Sequence, residues 1–213
     1  MTNFYLVRHG ETDWNKARRI QGSTDIPLND TGRSQAAMTG QLLARRDWDM
    51  IVASPLSRAL ETAQIIAGEV GLPEPTQNAA FVERRYGEAE GLDHREVDTR
   101  YPGATPVPGR ESRTEVMDRV VPALLAIAAE HPGEDVIVVS HGGVIKAVLG
   151  AIDPHSVHGT ITNGSIHSVR VVDGSLELIA FNDPIDELSL ENGTDDIEEQ
   201  NALEMRDPVS STS

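Results

Sequence analysis

The sequence predicts an α/β fold in three layers, with helices on both sides of a mostly parallel central sheet. Short apolar runs alternate along the chain with longer segments of helical periodicity, and this alternation is typical of a parallel sheet covered by helices. Only 4% of the 213 residues are aromatic, so aliphatic side chains fill most of the predicted core. A chain of this length is expected to form one domain, predicted at 1–183, followed by a tail at 184–213.

The first half of the chain is predicted to contain three strands and two long helices. The strands are predicted at 3–8, 50–53 and 76–82. The helices are predicted at about 32–46 and about 54–69. Asp30 or Thr31 is the expected N-cap of the first helix, since such side chains accept hydrogen bonds from unpaired N–H groups. Ser54 and Pro55 are expected to form the cap and first turn of the second helix.

The second half of the chain begins with an irregular stretch and ends in a hairpin. Gly, Pro and charged residues are frequent between 84 and 110, where one short helix is predicted. The predicted elements are helices at 93–100, 111–131 and 142–150 and strands at 135–140, 165–172 and 175–182. Asp173-Gly174 is a turn signal between the last two strands, which can add an antiparallel edge to the sheet.

The composition excludes several classes of function. The formal net charge is −16, and half of it comes from the nine acidic residues and one arginine of 184–213, a predicted flexible acidic tail. The rest of the chain is acidic too, so nucleic acid is not an expected partner. Cysteine is absent, which excludes disulfides and thiolate metal sites. No leader and no apolar run of about 18 residues is visible, so a cytoplasmic protein without a membrane partner is expected.

Two apolar runs end in a histidine that is followed by glycine. The first is Leu6-Val7-Arg8-His9-Gly10-Glu11-Thr12, and the second is Val136-Ile137-Val138-Val139-Ser140-His141-Gly142-Gly143. In open α/β sheets, ligands bind at the carboxyl ends of the strands. The two motifs therefore predict that the two imidazoles lie side by side at a ligand-binding edge of the sheet.

Histidine and arginine at such an edge suit phosphoryl transfer. A neutral imidazole nitrogen is a good nucleophile, and arginine binds phosphate oxygens in pairs without losing its charge. Glycine beside each histidine lets the backbone approach an oxyanion closely. Helix N-termini after Gly10, Ser54 and His141 would add N–H donors. These features together predict attack by a histidine on a phosphoryl group, with a phosphohistidine as the product.

The ordered motifs of the chain resemble those of the histidine phosphatase superfamily, the phosphoglycerate mutase-like group. Arg-His-Gly alone is a weak signal, but the ordered set, which runs from residue 4 to about 182, is highly specific. The matching segments are Leu6 to Thr12 with Trp14-Asn15, Arg19-Ile20-Gln21-Gly22 with Asp25 and Pro27-Leu28, Thr31-Gly32 with Gln35-Ala36, Ser54-Pro55-Leu56 with Arg58-Ala59 and Thr62-Ala63, Glu83 with Gly87, Pro108-Gly109-Arg110-Glu111-Ser112, Ser140-His141-Gly142-Gly143 and Asn163-Gly164-Ser165-Ile166.

The resemblance implies a fold and an activity. The fold is the phosphoglycerate mutase-like α/β/α fold, formed by a single histidine phosphatase domain at 1–183. The activity is that of a histidine acid-type phosphatase, which hydrolyses a small phosphorylated metabolite without metal or cofactor. His9 would be the nucleophile, and Glu83 would protonate the leaving alcohol and then activate water.

The resemblance also implies which residues surround the phosphate. Arg8, Arg58 and His141 count among the catalytic residues because they would neutralise the charge of the phosphoryl group. The full set of phosphate- and substrate-binding residues is Arg8, Asn15, Gln21, Gly22, Arg58, His141 and Gly142. Two arginines and an imidazolium can replace a metal ion in neutralising charge, so no metal is expected. Sheet-edge dimers are common among such proteins, so a homodimer is one expected assembly.

Two positions depart from the pattern of the family. Similar proteins often have Trp-Glu-Gly where this chain has Ala89-Glu90-Gly91, which leaves the local packing open. Arg110 occupies a position that is commonly glycine, and it is either a surface residue or a contact for a second anionic group. Both positions lie in the irregular stretch, where substrate specificity is expected to arise.

Other functions and other roles compete with these. Phosphoglycerate mutase is the alternative activity. Between Val97 and His131, however, there are few basic residues to grip a carboxylate apart from Arg100, Arg110, Arg113 and Arg119. A non-catalytic module that binds phosphorylated ligands is a third hypothesis, which would predict a broken site. Glu83 has an alternative role as a solvated partner of Arg84 or Arg85. The remaining histidines are interpreted as a helix end, an exposed loop, or structural or surface positions, namely His131, the pair His155 and His158, and the pair His94 and His167.

Overall fold

The computed structural model of the chain describes residues 1–152, 159–183 and 185. Its strands are β1 (Asn3–Arg8), β2 (Met50–Ala53), β3 (Thr76–Gln77), β4 (Asp135–Ser140), β5 (Ile166–Val172) and β6 (Ser175–Ala180). In the described part of the chain they form one sheet in the order β3-β2-β4-β1-β5-β6. Strands β3, β2, β4 and β1 are parallel to one another. Strand β5 is antiparallel to its neighbour β1, and β6 is antiparallel to β5.

Helices cover both faces of this sheet. They are α1 (Asp13–Lys16), α2 (Asp30–Leu43), α3 (Ser57–Val70), α4 (His94–Arg100), α5 (Arg113–Glu130) and α6 (Gly142–Ile152). Leu43 of α2 and Ile66 of α3 belong to one core cluster, whereas Leu124 of α5 and Val148 of α6 belong to another. The two clusters lie on opposite faces of the sheet, so the predicted α/β/α architecture is confirmed.

Strand β1 shows how one strand serves both layers. Phe4 and Leu6 pack into the cluster with α5 and α6, while Tyr5 and Val7 pack into the cluster with α2 and α3. Successive side chains of a strand point to opposite faces of the sheet. A strand that is buried on both faces therefore reads as an unbroken apolar run, as in the first residues of this sequence.

The carboxyl ends of β1, β2 and β4 meet at one edge of the sheet. The parallel register pairs Arg8 with Ser140 and Ala53 with Val139. The next residues along the chain are His9, Ser54 and His141. Because the strands are parallel neighbours, these three residues lie together although they are far apart in sequence.

The terminal hairpin follows the prediction. Asp173 has φ of 49° and Gly174 has φ of 78°, and these two residues join β5 to β6. Positive φ at both central residues is the condition for the two-residue turn that matches the twist of a hairpin. The turn signal in the sequence is thus confirmed.

The strand predicted at 76–82 is wrong beyond Gln77. The side chain of Asn78 accepts a hydrogen bond from the N–H of Ala80, and a short 3-10 helix follows at Ala79–Phe81. This local side-chain bond offers the backbone an alternative to the sheet ladder. The chain is therefore turned away from the sheet edge before it reaches Glu83.

The predicted starts of two helices are also corrected. Helix α2 begins earlier, and its N-cap is Asn29, whose side chain accepts from Gly32 N, rather than Asp30 or Thr31. Helix α3 begins at Ser57, so Ser54 and Pro55 precede the helix. The donor groups of Ser57 are bound by the carboxylate of Asp25, which is distant in sequence.

A third, smaller core lies under the irregular stretch. Ala89 is fully buried there, so the small side chain in place of the family's tryptophan lies within a packed cluster. Its buried neighbours are Ile20, Tyr86, Val97, Tyr101 and Val107. The ring of Trp14 lies beside Gly91, 3.3 Å from where a Cβ would stand.

Some predictions fall outside the described residues. The pair His155 and His158 lies there, as does the predicted acidic tail apart from Ile185, which packs against the cluster of α2 and α3. Among the helices of the described segments, none combines the length and apolarity needed to cross a membrane.

Candidate active site

His9 follows the last residue of β1 and is 2% exposed. Its backbone N–H donates to Ser140 O at 3.0 Å, which extends the pairing with β4. Its ring Nδ1 lies 2.7 Å from Gly10 O. A carbonyl oxygen only accepts, so Nδ1 carries the proton of the neutral ring and the lone pair is on Nε2. Nε2 is therefore the nitrogen of His9 that can act as a nucleophile.

His141 stands at the end of the neighbouring strand, β4, immediately before α6. Its ring centroid is 5.1 Å from that of His9, with the planes tilted by 59°. It is fully buried, and its Nε2 lies 2.8 Å from the hydroxyl of Ser54. The two imidazoles that the sequence predicts side by side are thus neighbours in the structure.

Two buried arginines accompany the histidines. Arg8 is the last residue of β1 and donates to Ile161 O at 2.8 Å. Arg58, in the first turn of α3, donates to Gly22 O at 2.7 Å and to Thr24 O at 2.9 Å. These acceptors are neutral carbonyls, so the bonds orient the guanidinium groups without neutralising them. The charges of Glu83, Asp25 and Glu90 also act on Arg58, so this guanidinium group lies among carboxylates as well as carbonyls.

Burial and the arginines together decide the protonation of the histidines. Burial lowers the pKa of His9 well below its ordinary value, and the charges of Arg58 and Arg8 lower it further. Burial likewise lowers the pKa of His141, again with help from Arg58. Burial also lowers the pKa of Arg58, to about 10, which still leaves this guanidinium charged near neutral pH. The site thus contains neutral imidazoles beside fixed positive charge.

Two nitrogens at this edge of the sheet are buried without a partner within the described chain, and one of them, Nε of Arg58, always carries a hydrogen. Nε of Arg58 and Nδ1 of His141 have no hydrogen-bond partner among the described residues. A buried N–H group without a partner is costly, and an acceptor oxygen removes that cost. The site therefore favours a ligand that brings several acceptor oxygens, and a phosphoryl group is such a ligand.

The side chain of Glu83 contacts the N-terminal end of α6, the helix that directly follows His141. It is 2% exposed, so the alternative role as a solvated acid is wrong. Its carboxylate accepts from Arg84 N at 2.8 Å and from Gly143 N and Val144 N at 3.2 Å each. The last two donors belong to the first turn of α6, where N–H groups have no partner within the helix.

The ion pair between Arg119 and Glu111 holds the backbone of the segment that carries Glu83. Arg119 of α5 donates to the Glu83 carbonyl at 3.3 Å and pairs with Glu111 at 2.9 Å. Burial alone would raise the pKa of Glu111, but bonds from Arg119 and from the backbone of Arg85 hold it below its ordinary value. This ion pair fixes the backbone around the candidate general acid.

Asn15 and Gln21 meet at the side chain of Thr12. The Thr12 N–H donates to Asn15 Oδ1 at 3.1 Å, and its hydroxyl donates to Gln21 Oε1 at 2.8 Å. The amide oxygens are thus occupied, and the network assigns the NH₂ groups to the side away from Thr12. Both residues are at least nine-tenths buried, with 5% and 2% exposed. Helix α1 begins at this threonine cap, so the helix N-terminus predicted after Gly10 is present.

The two glycines assigned to the site serve through their backbones. Gly22 has φ of 54°, and a Cβ there would stand 2.2 Å from Glu90 Oε1. Its carbonyl orients Arg58, as described above. Gly142 is the first residue of α6 and directly follows His141, so the helix N-terminus opens beside the two histidines.

The sequence reasoning missed three residues of this edge. Ser54 was expected to be a helix cap only, whereas its hydroxyl contacts His141. Asn163 was part of a matching segment without a role, and its Nδ2 donates to the His9 carbonyl at 2.8 Å. Glu90 accepts from the backbone of Ser23 and Thr24, next to the carbonyls that orient Arg58. In the sequence, the only indication of a role for these three residues is that they lie within or next to the quoted motifs.

The other polar positions singled out in the sequence have more ordinary surroundings. Arg110 is partly exposed, and its backbone pairs with Tyr86. His131 caps the C-terminus of α5 as predicted and lies 2.9 Å from Glu134, and His94 lies 3.1 Å from Asp98. His167 is fully buried on β5 and is therefore not a surface residue. Among the described residues, no group of three or more acidic or histidine side chains could hold a metal ion.

The fold and the site define an α/β/α protein with two neutral histidines and two buried arginines at the carboxyl edge of its sheet. Family comparison specifies this class further. The family model of the histidine phosphatase superfamily (branch 1) matches residues 4–184. The chain therefore belongs to this superfamily.

Similar proteins of known name support a phosphatase enzyme. The uncharacterized phosphatase PhoE of Bacillus subtilis is 39% identical over 185 residues, which cover 85% of this chain and 95% of that protein. The metal-independent phosphoserine phosphatase of Arabidopsis thaliana is 37% identical over 185 residues, which cover 81% and 78%. The structure of a mycobacterial glucosyl-3-phosphoglycerate phosphatase with VO3 superposes with a TM-score of 0.76 at 31% identity, covering 84% and 98%.

Proposed function

We propose that this chain is a metal-independent phosphomonoesterase that acts through a phosphohistidine on His9. The observation that carries the proposal is the bond from His9 Nδ1 to Gly10 O, because it leaves the lone pair on Nε2 beside Arg8 and Arg58. Nε2 attacks phosphorus, and the bond from phosphorus to the ester oxygen breaks. The arginines neutralise the charge that the phosphoryl group carries through the transition state, and His141 is a hydrogen-bonding group beside it.

Glu83 completes both halves of this reaction. In the first half its carboxyl group gives a proton to the leaving alkoxide. In the second half its carboxylate takes a proton from water, whose oxygen attacks phosphorus and releases His9 and inorganic phosphate. The burial of Glu83 and its hydrogen bonds to the first turn of α6, the helix that directly follows His141, support this role.

The electrostatics of the site support the acid-type description. An ordinary histidine is mostly protonated at pH 5.5 and cannot attack phosphorus. Burial and the neighbouring arginines lower the pKa of His9 well below that of an ordinary histidine, so its nucleophilic form persists into the acid range. Activity should therefore extend below the pH at which a solvent-exposed histidine becomes protonated and loses its nucleophilic form.

The expected substrate is a small phosphorylated metabolite. The phosphoserine phosphatase and the glucosyl-3-phosphoglycerate phosphatase are similar to this chain over most of its length, which makes their two named substrates the first candidates. Both are alkyl phosphates, whose leaving groups are poor and require a proton donor. A cytoplasmic enzyme without a cofactor is part of the proposal. A homodimer is one expected assembly, and light scattering of the purified protein tests it.

Replacement of His9 by alanine tests the reaction. In His9→Ala, turnover of para-nitrophenyl phosphate should fall by more than about 10³-fold and acid-labile labelling of the protein by phosphate should vanish, because the nucleophile is gone. The parent enzyme should keep its rate in EDTA and retain activity from pH 7.5 to 5.5. His94→Ala, on the partly exposed helix α4, is the matched control and should behave as the parent. Preserved turnover in His9→Ala would remove His9 from its assigned role.

Phosphoglycerate mutase remains the alternative activity. Two assays of the parent enzyme distinguish the two activities. A phosphatase releases inorganic phosphate from phosphoserine or a phosphoglycerate. A mutase interconverts 3- and 2-phosphoglycerate while releasing little phosphate. Rapid interconversion of 3- and 2-phosphoglycerate without release of inorganic phosphate would contradict the proposed hydrolysis and show a mutase.

A further inference from the structure

Ser54 and His141 form a buried pair at the edge of the sheet. Their strands, β2 and β4, are parallel neighbours, and Ser54 N donates to Val139 O at 3.0 Å. The Ser54 hydroxyl lies 2.8 Å from His141 Nε2, and both residues are fully buried. Either group could donate in this contact, since the ring nitrogen can carry a proton or a lone pair.

The other bond of the Ser54 hydroxyl decides which group donates. Its oxygen already accepts the N–H of Leu56 at 3.3 Å, and within the described chain its further contact is with His141 alone. If Nε2–H donated to Ser54, the hydroxyl hydrogen would be buried without an acceptor. If the hydroxyl donates to Nε2, the ring hydrogen is on Nδ1, which has no partner among the described residues. An oxygen of a bound anion can accept it, so with an anion bound each of these hydrogens has a partner and the second arrangement is favoured.

We propose that Ser54 is a positioning residue that holds neutral His141 with its proton on Nδ1, so that His141 offers an N–H donor to an anion bound beside His9. This inference rests on the proposed phosphoryl-binding function of the site. His141 Nδ1 is buried without a partner among the described residues, so an oxygen of the bound group is the acceptor that it lacks.

The charges around His141 make this tautomer important. Burial lowers the pKa of His141, and the groups that face its ring add to this effect, namely Arg58, His9, Arg8 and Arg119. His141 is thus neutral before substrate binds, and a neutral imidazole has only one N–H to donate. In the wrong tautomer, His141 would present a lone pair to an anion and repel it.

The first test is a spectroscopic one on the intact parent protein. Nitrogen-15 NMR of the histidine rings, with inorganic phosphate bound and at pH 7.5, should show His141 with Nδ1 protonated and Nε2 unprotonated. The His141 signals are assigned by their loss in His141→Gln. A parent protein with Nε2 protonated would overturn the inference, and this measurement does not depend on any variant of Ser54.

The second test compares Ser54→Thr with Ser54→Val. These two side chains have the same shape, and only threonine has a hydroxyl group to donate, so any strain from the added methyl groups is shared. Ser54→Thr should keep the Nδ1 tautomer. Ser54→Val should lose the tautomer preference and bind inorganic phosphate about tenfold more weakly than Ser54→Thr, as expected for one lost hydrogen bond. Equal tautomers and equal phosphate affinity in the two variants would overturn the inference.

Failure of the proposed function would be recognised separately. A parent protein that hydrolyses none of the phosphomonoesters would contradict the phosphatase, whereas its ring tautomer would still be measurable. Conversely, an active phosphatase with His141 protonated on Nε2 would leave the reaction intact and remove the role of Ser54.

Discussion

Glu83 is the residue whose role depends most on its surroundings. Its carboxylate is enclosed and bonded by three backbone N–H groups, two of them from the first turn of α6. In the proposed reaction, a carboxyl group so placed at the start of α6 exchanges a proton with the leaving group of a substrate. Its importance should therefore grow as the leaving group becomes poorer.

Substitution of Glu83 by glutamine tests this proton transfer. In Glu83→Gln, kcat/KM for phosphoserine should fall about 10²-fold more than kcat/KM for para-nitrophenyl phosphate, whose leaving group needs no proton. Steady-state kinetics on the two substrates measures the difference. Glu130→Gln, on the exposed end of α5, is the matched control. An equal loss on both substrates would speak against proton donation.

At the scale of single residues, the sequence predicted identities better than chemical states. His9, His141, Arg8 and Arg58 follow from two motifs and a family resemblance, and the structure brings them together. The tautomer of His9 does not follow from any motif. It depends on a carbonyl oxygen 2.7 Å from one ring nitrogen, which only the folded backbone provides.

At the scale of elements, the turn after β1 depends on a contact between two glycines. A Cβ at Gly10 would stand 2.2 Å from the carbonyl oxygen of Gly32, in the first turn of α2. That neighbour is backbone and cannot move aside as a flexible side chain could. The absence of a side chain at Gly10 thus lets α2 pack against the turn that holds His9.

Alanine substitutions at two glycines test this contact. Gly10→Ala should lower the free energy of unfolding by about 3 kcal/mol because two backbone segments must separate. Gly68 lies on the exposed face of α3, and a Cβ there would meet nothing within 4 Å. Gly68→Ala should therefore raise the free energy of unfolding by about 0.5–1 kcal/mol. Urea unfolding measures both, and similar stabilities of the two variants would contradict the proposed close contact.

Element boundaries were the part of the fold that local patterns predicted least well. Helix α3 begins at Ser57 because the carboxylate of Asp25 binds its first donors from 32 positions away. Strand β3 ends early because Asn78 caps a 3-10 helix. The interiors of the elements follow from apolar periodicity, whereas their ends depend on single hydrogen bonds.

At the scale of the whole molecule, three histidines are buried within the described fold. They are His9, His141 and His167, and burial lowers the pKa of each. The pKa of His167 is lowered to about 3. In the unfolded chain their pKa is near 6.5. Below that pH the unfolded state binds protons that the folded state does not, so the stability of the fold falls as the pH falls.

Thermal or urea unfolding between pH 6.5 and 5 tests this coupling. Each buried histidine should contribute a slope of up to about 1.4 kcal/mol per pH unit in that range. His167→Gln keeps groups able to bond Ser165 and Asn182, and its stability should depend less steeply on pH than that of the parent. An unchanged slope in His167→Gln would show that this ring is protonated in the fold.

The sequence by itself determined the layered fold and the meeting of His9 with His141, because parallel strands share a carboxyl edge and apolar runs reveal the strands. Only the tertiary structure decided how those residues are held. Ser54 contacts His141 across 87 positions, and Glu83 binds the start of α6 across 60 positions. Such contacts set burial, tautomer and charge, and they arise from the packing of distant segments, which no local pattern of residues encodes.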